Sequence, residues 1–139
     1  MKSFSAKFGV ILIGLIILGY AEVWGADWVR YGKNETGTYY YDQQSVTRLS
    51  KEVVRVWNKI VFTEKGMETA VERLGKSDRN YGYDISLREI NCKDKTQHWV
   101  ESKIYSMDGK LLRSPSYNVG WESIRQGSLS DILLQRLCK

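Results

Sequence analysis

The chain has 139 residues, of which 21 are Lys or Arg, 16 are Asp or Glu, one is His and two are Cys. This length fits one domain, and a content of 42% hydrophobic and 27% charged residues excludes both a disordered chain and a multi-span membrane protein. One histidine and two cysteines are too few for a zinc site built from four Cys and His ligands, and we predict neither a metal nor a cofactor.

The N-terminal segment has the features of a signal peptide. Lys2 and Lys7 lead into an uncharged apolar run over residues 8–20, which is shorter than the roughly 20 residues that a membrane-spanning helix needs. Small residues follow, so we predict that residues 1–26 are removed and that 27–139 form the exported domain. The alternative is that the segment is retained as an anchor. No cysteine lies near the end of the run, so we expect no lipid attachment there.

Three strands are predicted in the first half of the exported part. Two short strands cover residues 28–31 and 38–42, and a longer run from Glu52 to Thr63 alternates its side chains in period two. Asn58 interrupts the apolar face of the long run, which we interpret as a position near a sheet edge. The apolar face carries Val54, Val56, Ile60 and Phe62, and the other face carries Val53, Arg55, Trp57, Lys59 and Val61.

An amphipathic helix follows. Met67, Ala70, Val71 and Leu74 recur with the spacing of one helix face, and Gly75 ends the pattern.

Strands resume at residues 83–93. Their apolar residues change face between Leu87 and Ile90, which predicts a β-bulge or a strong twist near Arg88. The next strand covers residues 97–107. Regular alternation there places Trp99, Lys103 and Tyr105 on one face, and Val100 and Ile104 on the other.

A hairpin and a terminal helix complete the pattern. Asp108-Gly109 is a strong turn signal, so we predict a returning strand at 111–117. Ser128 can cap a helix, with Asp131 in the position of the reciprocal partner. The helix needs an apolar sheet face to lie on. We therefore predict an α+β fold, an antiparallel sheet of about six strands with a C-terminal helix packed on it.

The two cysteines lie at element ends, Cys92 at the end of a strand and Cys138 at the end of the terminal helix. In an exported protein two cysteines usually pair, so we predict a structural disulfide that ties the helix to the sheet. A redox-active or intermolecular role is the alternative. It is disfavoured because the spacing is not that of a CxxC motif.

No catalytic pattern is present, since GxSxG, HExxH, SxxK and phosphate-binding glycine loops are all absent from the sequence. His98, the single histidine, alternates onto the face of Val100, where a packing or edge role is more usual than a general base. We predict no catalytic residues and no enzymatic activity. A pocket that joins His98 to a carboxylate would revive the enzymatic alternative.

Aromatic residues are abundant in the exported part. The strand pattern places Tyr40, Arg55, Trp57, Trp99 and Lys103 on the face opposite the predicted core. Exposed aromatics next to cations are typical of binding surfaces, so these five residues form our candidate binding face. The alternatives are that the rings only cover the second face of a small sheet, or that they pack in a homodimer.

Several short segments together carry a family resemblance. They are Trp28-x-x-Tyr31, Gly37–Asp42, Ser45-Val46, Val54–Trp57, Glu89–Lys93, Trp121–Ile124 and the final Cys138. In this order they resemble bacterial proteins with a surface-adhesin protein E-like domain. The resemblance implies an antiparallel sheet with a C-terminal helix tied by a disulfide. It also implies an envelope or surface location, and, for the adhesin that gives the family its name, binding of host matrix and plasma proteins and dimerisation.

We therefore expect an exported, non-enzymatic, adhesin-like binding module of the cell envelope, periplasmic, secreted or at the cell surface. Its partner would be a protein or an envelope polymer. The alternative is a structural or accessory periplasmic protein that acts mainly through dimerisation. Nucleic acid is not expected as a partner, because the protein is exported and the net charge of +5 is not clustered.

Overall fold

A computed structural model describes residues 26–75, 80–115 and 119–139. The predicted signal peptide lies almost entirely outside these residues and stays a prediction. The strands are β1 (Trp28–Lys33), β2 (Gly37–Asp42), β3 (Thr47–Arg48), β4 (Val53–Phe62), β5 (Tyr81–Asn91), β6 (Thr96–Ser106), β7 (Leu111–Arg113) and β8 (Glu122–Ser123). The helices are α1 (Glu64–Leu74) and α2 (Leu129–Leu137), and a single 3-10 turn covers Gln43–Ser45.

Within the described residues the strands form one antiparallel sheet with the order β1-β2-β4-β5-β6-β7. The short strands β3 and β8 extend it by pairing with β4 and β6. This architecture confirms the predicted α+β fold. Asn58 lies in β4, which has β2 on one side and β5 on the other, so the prediction that it lies near an edge is wrong.

Both helices begin at a capping side chain. The Thr63 hydroxyl accepts a hydrogen bond from the Gly66 amide (3.1 Å) at the start of α1, and the Ser128 hydroxyl accepts one from the Asp131 amide (3.2 Å) at the start of α2. The Asp131 carboxylate accepts from the amide of Gly127 (2.9 Å). The predicted cap of α2 is thus confirmed, although its reciprocal bond goes one residue further back.

The core lies between the sheet and the two helices. Leu133 and Leu134 of α2 pack against Val56, Ile90 and two tyrosines of the sheet, and Ala70 of α1 packs near Ile104. We call this side of the sheet the helix face. Its residues on the central strands include Val56, Asn58, Ile60, Asp84, Ser86, Arg88, Ile90, Trp99, Ser102 and Ile104.

The predicted disulfide is confirmed. Cys92 follows the last residue of β5 and Cys138 is the C-cap of α2, and their Cα atoms are 5.5 Å apart. The bond closes a loop with a sequence separation of 46 residues. Chain-entropy arguments assign such a loop about 4 kcal/mol of stabilisation. The bond also ties the C-terminal end of α2 to the C-terminal end of β5.

The strand register shifts in the middle of β5 and β6. Leu87 pairs with Glu101, but the next residue of β5, Arg88, pairs with Trp99, so Val100 is the extra residue of a bulge. The bulge was predicted in β5, and its extra residue is instead in β6. The side chains of β5 keep their alternation past Arg88, from Tyr83 to Asn91, and Trp99 is moved onto the helix face. The prediction that Trp99 shares a face with Trp57 is therefore wrong.

A buried polar cluster occupies the helix face next to this bulge. Arg88 is 1% exposed and donates to Gln97 Oε1 (2.8 Å), Ser130 Oγ (3.0 Å), the Tyr31 hydroxyl (3.0 Å) and the Asn58 side chain. Its guanidinium lies 4.6 Å from the centre of the Trp99 ring. Burial lowers the pKa of Arg88, and Tyr31 opposes that shift. Arg88 thus joins β1, β4, β6 and α2 to the centre of the sheet.

Candidate functional site

The other side of the sheet carries neither helix of the described chain, and we call it the open face. Strand alternation places its side chains, and the cross-strand register places them next to one another. Its members are Trp28, Arg30, Tyr40, Arg55, Trp57, Lys59, Val61, Tyr83, Ile85, Leu87, Glu89, His98, Glu101, Lys103 and Tyr105.

Lys59 lies among the aromatic residues of this face. Its ammonium is 5.7 Å from the centre of the Trp28 ring and 5.0 Å from that of Tyr83. Tyr83 in turn stacks on Tyr105, with ring centres 4.9 Å apart. Partial burial lowers the pKa of Lys59 from its ordinary value. The result is a continuous aromatic row with a cation held within it.

A second row crosses the middle of the face. Tyr40 pairs with Lys59, Lys59 with Ile85, and Ile85 with Lys103. Ile85 is only 3% exposed, although neither of the two described helices covers it, and two lysines flank it. Long aliphatic stems with charged ends can shield an apolar residue in this way. The row presents positive charge above an apolar base.

Arg55 and Trp57 lie on β4, two residues apart on the open face. The Arg55 guanidinium forms an ion pair with the Glu89 carboxylate at 2.6 Å, so its charge is already compensated. Trp57 is half-buried, and its backbone amide donates to the Ser45 hydroxyl (3.0 Å). Of the predicted residues of this face, Lys103 is thus the charged one that has no ion pair among the described residues.

The open face continues to the β6 edge with His98. The imidazole lies 5.4 Å from the exposed ring of Trp121, and its Nδ1 is 3.2 Å from the carbonyl of Val119. Glu89 is directly opposite His98 in the register but pairs with Arg55. His98 therefore extends the aromatic surface, and none of the ion pairs among the described residues involves it.

Four of the five predicted residues come together on this face: Tyr40, Arg55, Trp57 and Lys103. The fifth, Trp99, is on the helix face. Sequence reasoning did not select Lys59, Tyr83 or Trp28. Period-two alternation in β4 already placed Lys59 beside Trp57, and that signal was available. The contact of Lys59 with Trp28 depends on the order of the strands and had no signal in the sequence.

The antiparallel sheet carries helices on one side and an aromatic, cationic surface on the other. The molecule is thus a small domain with one disulfide, and it can present one face of its sheet to a partner. The chain belongs to the surface-adhesin protein E family, whose model matches residues 28–139. This confirms the resemblance drawn from the sequence. No curated protein sequence matches the chain.

Solved structures of Haemophilus influenzae protein E share the fold. Crystal form II of that protein has 13% identity and a TM-score of 0.53, with 80% of this chain and 86% of that chain covered. The selenomethionine form has 13% identity and a TM-score of 0.52, with 80% and 84% covered. A further structure has 14% identity and a TM-score of 0.51, with 80% and 83% covered. At such identities the likeness concerns the fold alone.

Among the described residues, no helix has the length and apolar character needed to cross a membrane.

Proposed function

We propose that this protein is an exported, non-enzymatic binding module of the cell envelope, and that its open face contacts another protein or an envelope polymer. The observation that carries the proposal is the distribution of residues over the two sides of the sheet. In the part of the chain that the structure describes, both helices cover one side of the sheet, and aromatic rings and lysines line the other. Membership of a surface-adhesin family supports an adhesin-like role.

The chemistry of the open face supports recognition in preference to catalysis. Its aromatic rings offer large rigid contact areas with little entropy to lose, and its lysines can steer an acidic partner. Arg55 and Glu89 neutralise each other. Among the described residues, Lys59 and Lys103 lie on either side of Ile85 and form no ion pair, and neither does Arg30 on β1.

Homodimerisation through the same face is the second candidate. The half-buried Trp57 and the stacked Tyr83 and Tyr105 would suit a face that meets a second copy. Sedimentation velocity over a wide concentration range separates the two candidates. A dimer that dissociates on dilution only after Trp57→Ala favours the second, and a monomer at all concentrations favours the first.

Export is tested on the full chain expressed in a bacterial host with a periplasm. We expect the protein in the periplasmic or secreted fraction, with a new N-terminus close to residue 27. Recovery of the intact chain in the membrane fraction would support the retained anchor, and recovery in the cytosol would overturn the proposal of export.

The binding role is tested by capture from a detergent-solubilised envelope fraction. The double variant Trp57→Ala/Lys103→Ala removes one apolar and one cationic residue from the open face. The matched control, Ile132→Ala/Lys110→Ala, removes an exposed apolar residue of α2 and an exposed lysine of the β6–β7 turn. We expect one defined component to be captured by the unmodified protein and by the control, and to be lost with the open-face variant. Equal capture by all three proteins would contradict the proposal.

A further inference from the structure

The helix face contains a cleft that the binding role of the open face does not use. It has a volume of about 310 Å³ and lies between α1 and the sheet. A second cavity of about 220 Å³ adjoins it on the side of α2, because the two share Tyr39, Ile60, Ser86 and Trp99 as lining residues. The volume of the cleft between α1 and the sheet is at the lower end of the range for sites that bind small organic ligands.

A buried carboxylate forms part of the floor of the cleft. Asp84 is 8% exposed. Both of its oxygens accept from the Ser102 hydroxyl, at 3.1 and 3.0 Å, and one also accepts from the Ser86 hydroxyl. These partners are neutral donors, and a carboxylate has about four acceptor positions.

The charge of Asp84 is not matched by a close cation. None of the ion pairs among the described residues involves Asp84. Arg73 of α1 lines the cleft and is exposed, and its positive charge favours the ionised carboxylate from a distance. Burial has the larger effect and raises the pKa of Asp84. A buried carboxylate without a cation is costly, and a ligand that brought one would lower that cost.

The remaining lining suits the rest of such a ligand. Three aromatic residues line the cleft together with Asp84: Tyr39, Phe62 and Trp99. Aromatic rings attract organic cations through their electron-rich faces. Apolar side chains from both layers complete the lining: Ile60, Ala70, Leu74 and Ile104.

We infer that this cleft binds a small organic monoammonium ion, with the nitrogen at the Asp84 carboxylate and an apolar body between α1 and the sheet. Arg73 lies on the α1 side of the cleft, so a second positive charge on the ligand is disfavoured. This site lies on the opposite side of the sheet from the open face, and it stands or falls independently of the proposed binding role.

The test is an NMR titration of the ¹⁵N-labelled protein at neutral pH with phenethylammonium chloride. The probe has one ammonium and one compact ring. 2-Phenylethanol is the neutral control of nearly the same shape. We expect saturable shifts of the Trp99 indole N–H and of the Asp84 and Ser102 amides with the ammonium, and none with the alcohol.

Two variants test the two halves of the inference. Asp84→Asn removes the charge and keeps the shape, and we expect affinity to fall by roughly tenfold to a hundredfold, the cost of losing one charge-assisted hydrogen bond. Thr69→Phe, on the α1 wall, fills the cleft without touching the carboxylate and should abolish binding. Glu101→Gln, an exposed carboxylate on the open face, is the matched control and should bind like the unmodified protein.

Three results would overturn the inference: no saturable shift at Trp99, equal shifts with the alcohol, or unchanged affinity in folded Asp84→Asn. Far-ultraviolet circular dichroism checks the folding of each variant. If Asp84→Asn does not fold, the comparison of ammonium with alcohol and the Thr69→Phe variant still decide the question.

Discussion

Each side of the sheet contains a cation against a tryptophan, and the two pairs behave differently. On the helix face, Arg88 lies 4.6 Å from the Trp99 ring and is 1% exposed. On the open face, Lys59 lies 5.7 Å from the Trp28 ring and is only half-buried. The residue types are similar, but the surroundings are not.

The difference shows how burial and hydrogen bonding assign a role to the same kind of contact. Arg88 has four side-chain acceptors in three strands and a helix, so it is fixed and inaccessible. Lys59 has aromatic neighbours and access to solvent. The first pair stabilises the fold, and the second remains free to contact a partner. The following predictions test this division, in order of decreasing effect on stability.

The largest effect is expected for Arg88→Ala. Every buried acceptor left without its donor costs about 1–3 kcal/mol, and several are left at once, so we expect a loss of about 4–6 kcal/mol in the free energy of unfolding. Urea denaturation measures it. Arg55→Ala is the matched control on the open face, where loss of a partly exposed ion pair should cost about 1 kcal/mol or less. Equal losses of unfolding free energy in the two variants would contradict the division into a stabilising helix face and an open face that is free to bind.

The disulfide comes next. Replacing both Cys92 and Cys138 by Ser should cost about 4 kcal/mol, because the unfolded chain regains the freedom of a loop with a sequence separation of 46 residues. Thermal unfolding with and without reductant checks this. The reductant should lower the melting temperature of the unmodified protein and leave that of the double variant unchanged. Equal melting temperatures for oxidised and reduced protein would show that the bond does not stabilise α2.

Because of Asp84 on the helix face, the stability of the folded protein should depend on pH. Burial raises the pKa of its carboxyl in the folded state above the ordinary value, so the folded protein keeps a proton that the unfolded chain has lost. The ionised, buried Asp84 carboxylate destabilises the folded protein. This loss of stability is therefore absent below about pH 4, grows as the pH rises, and is complete above the folded-state pKa. The melting temperature of Asp84→Asn relative to the unmodified protein should rise over that interval. A difference that stays constant with pH would exclude this linkage.

The smallest effect on stability is expected on the open face. Lys59→Ala loses two cation–aromatic contacts near solvent, worth about 0.5–1 kcal/mol each. We expect urea denaturation to show a loss of about 1–2 kcal/mol, well below that of Arg88→Ala. The same variant should lose capture of the envelope component. Unfolding of Lys59→Ala at room temperature would show that this side also belongs to the stabilising core.

Much of the fold could be predicted from the sequence, for physical reasons. Period-two alternation over Val53–Phe62 identified the central strand and placed Trp57 opposite the core. Two cysteines in a predicted exported domain indicated the disulfide, and Ser128 indicated the start of α2. Each of these signals is local or follows from composition, so no knowledge of strand order is needed.

The wrong predictions concern residues whose position in the sheet depends on the pairing of strands that are distant in the sequence. A bulge at Val100 moves Trp99 to the helix face, and the sequence of β6 carries no glycine or other mark of it. Asn58 was interpreted as an edge residue because a polar side chain interrupted an apolar face. Its hydrogen-bond partner is Arg88, 30 residues away. The sequence therefore does not reveal this buried pair, because the two residues meet only when β4 and β5 are paired in the sheet.

The most direct test of the open face as the binding surface is hydroxyl-radical footprinting with and without the captured envelope component. We predict reduced modification of Trp57, Tyr40 and Tyr83 in its presence. Trp99, on the helix face, and Met107, exposed at the hairpin tip, should be modified to the same extent in both samples. Protection of Trp99 with unchanged Trp57 and Tyr40 would contradict the account.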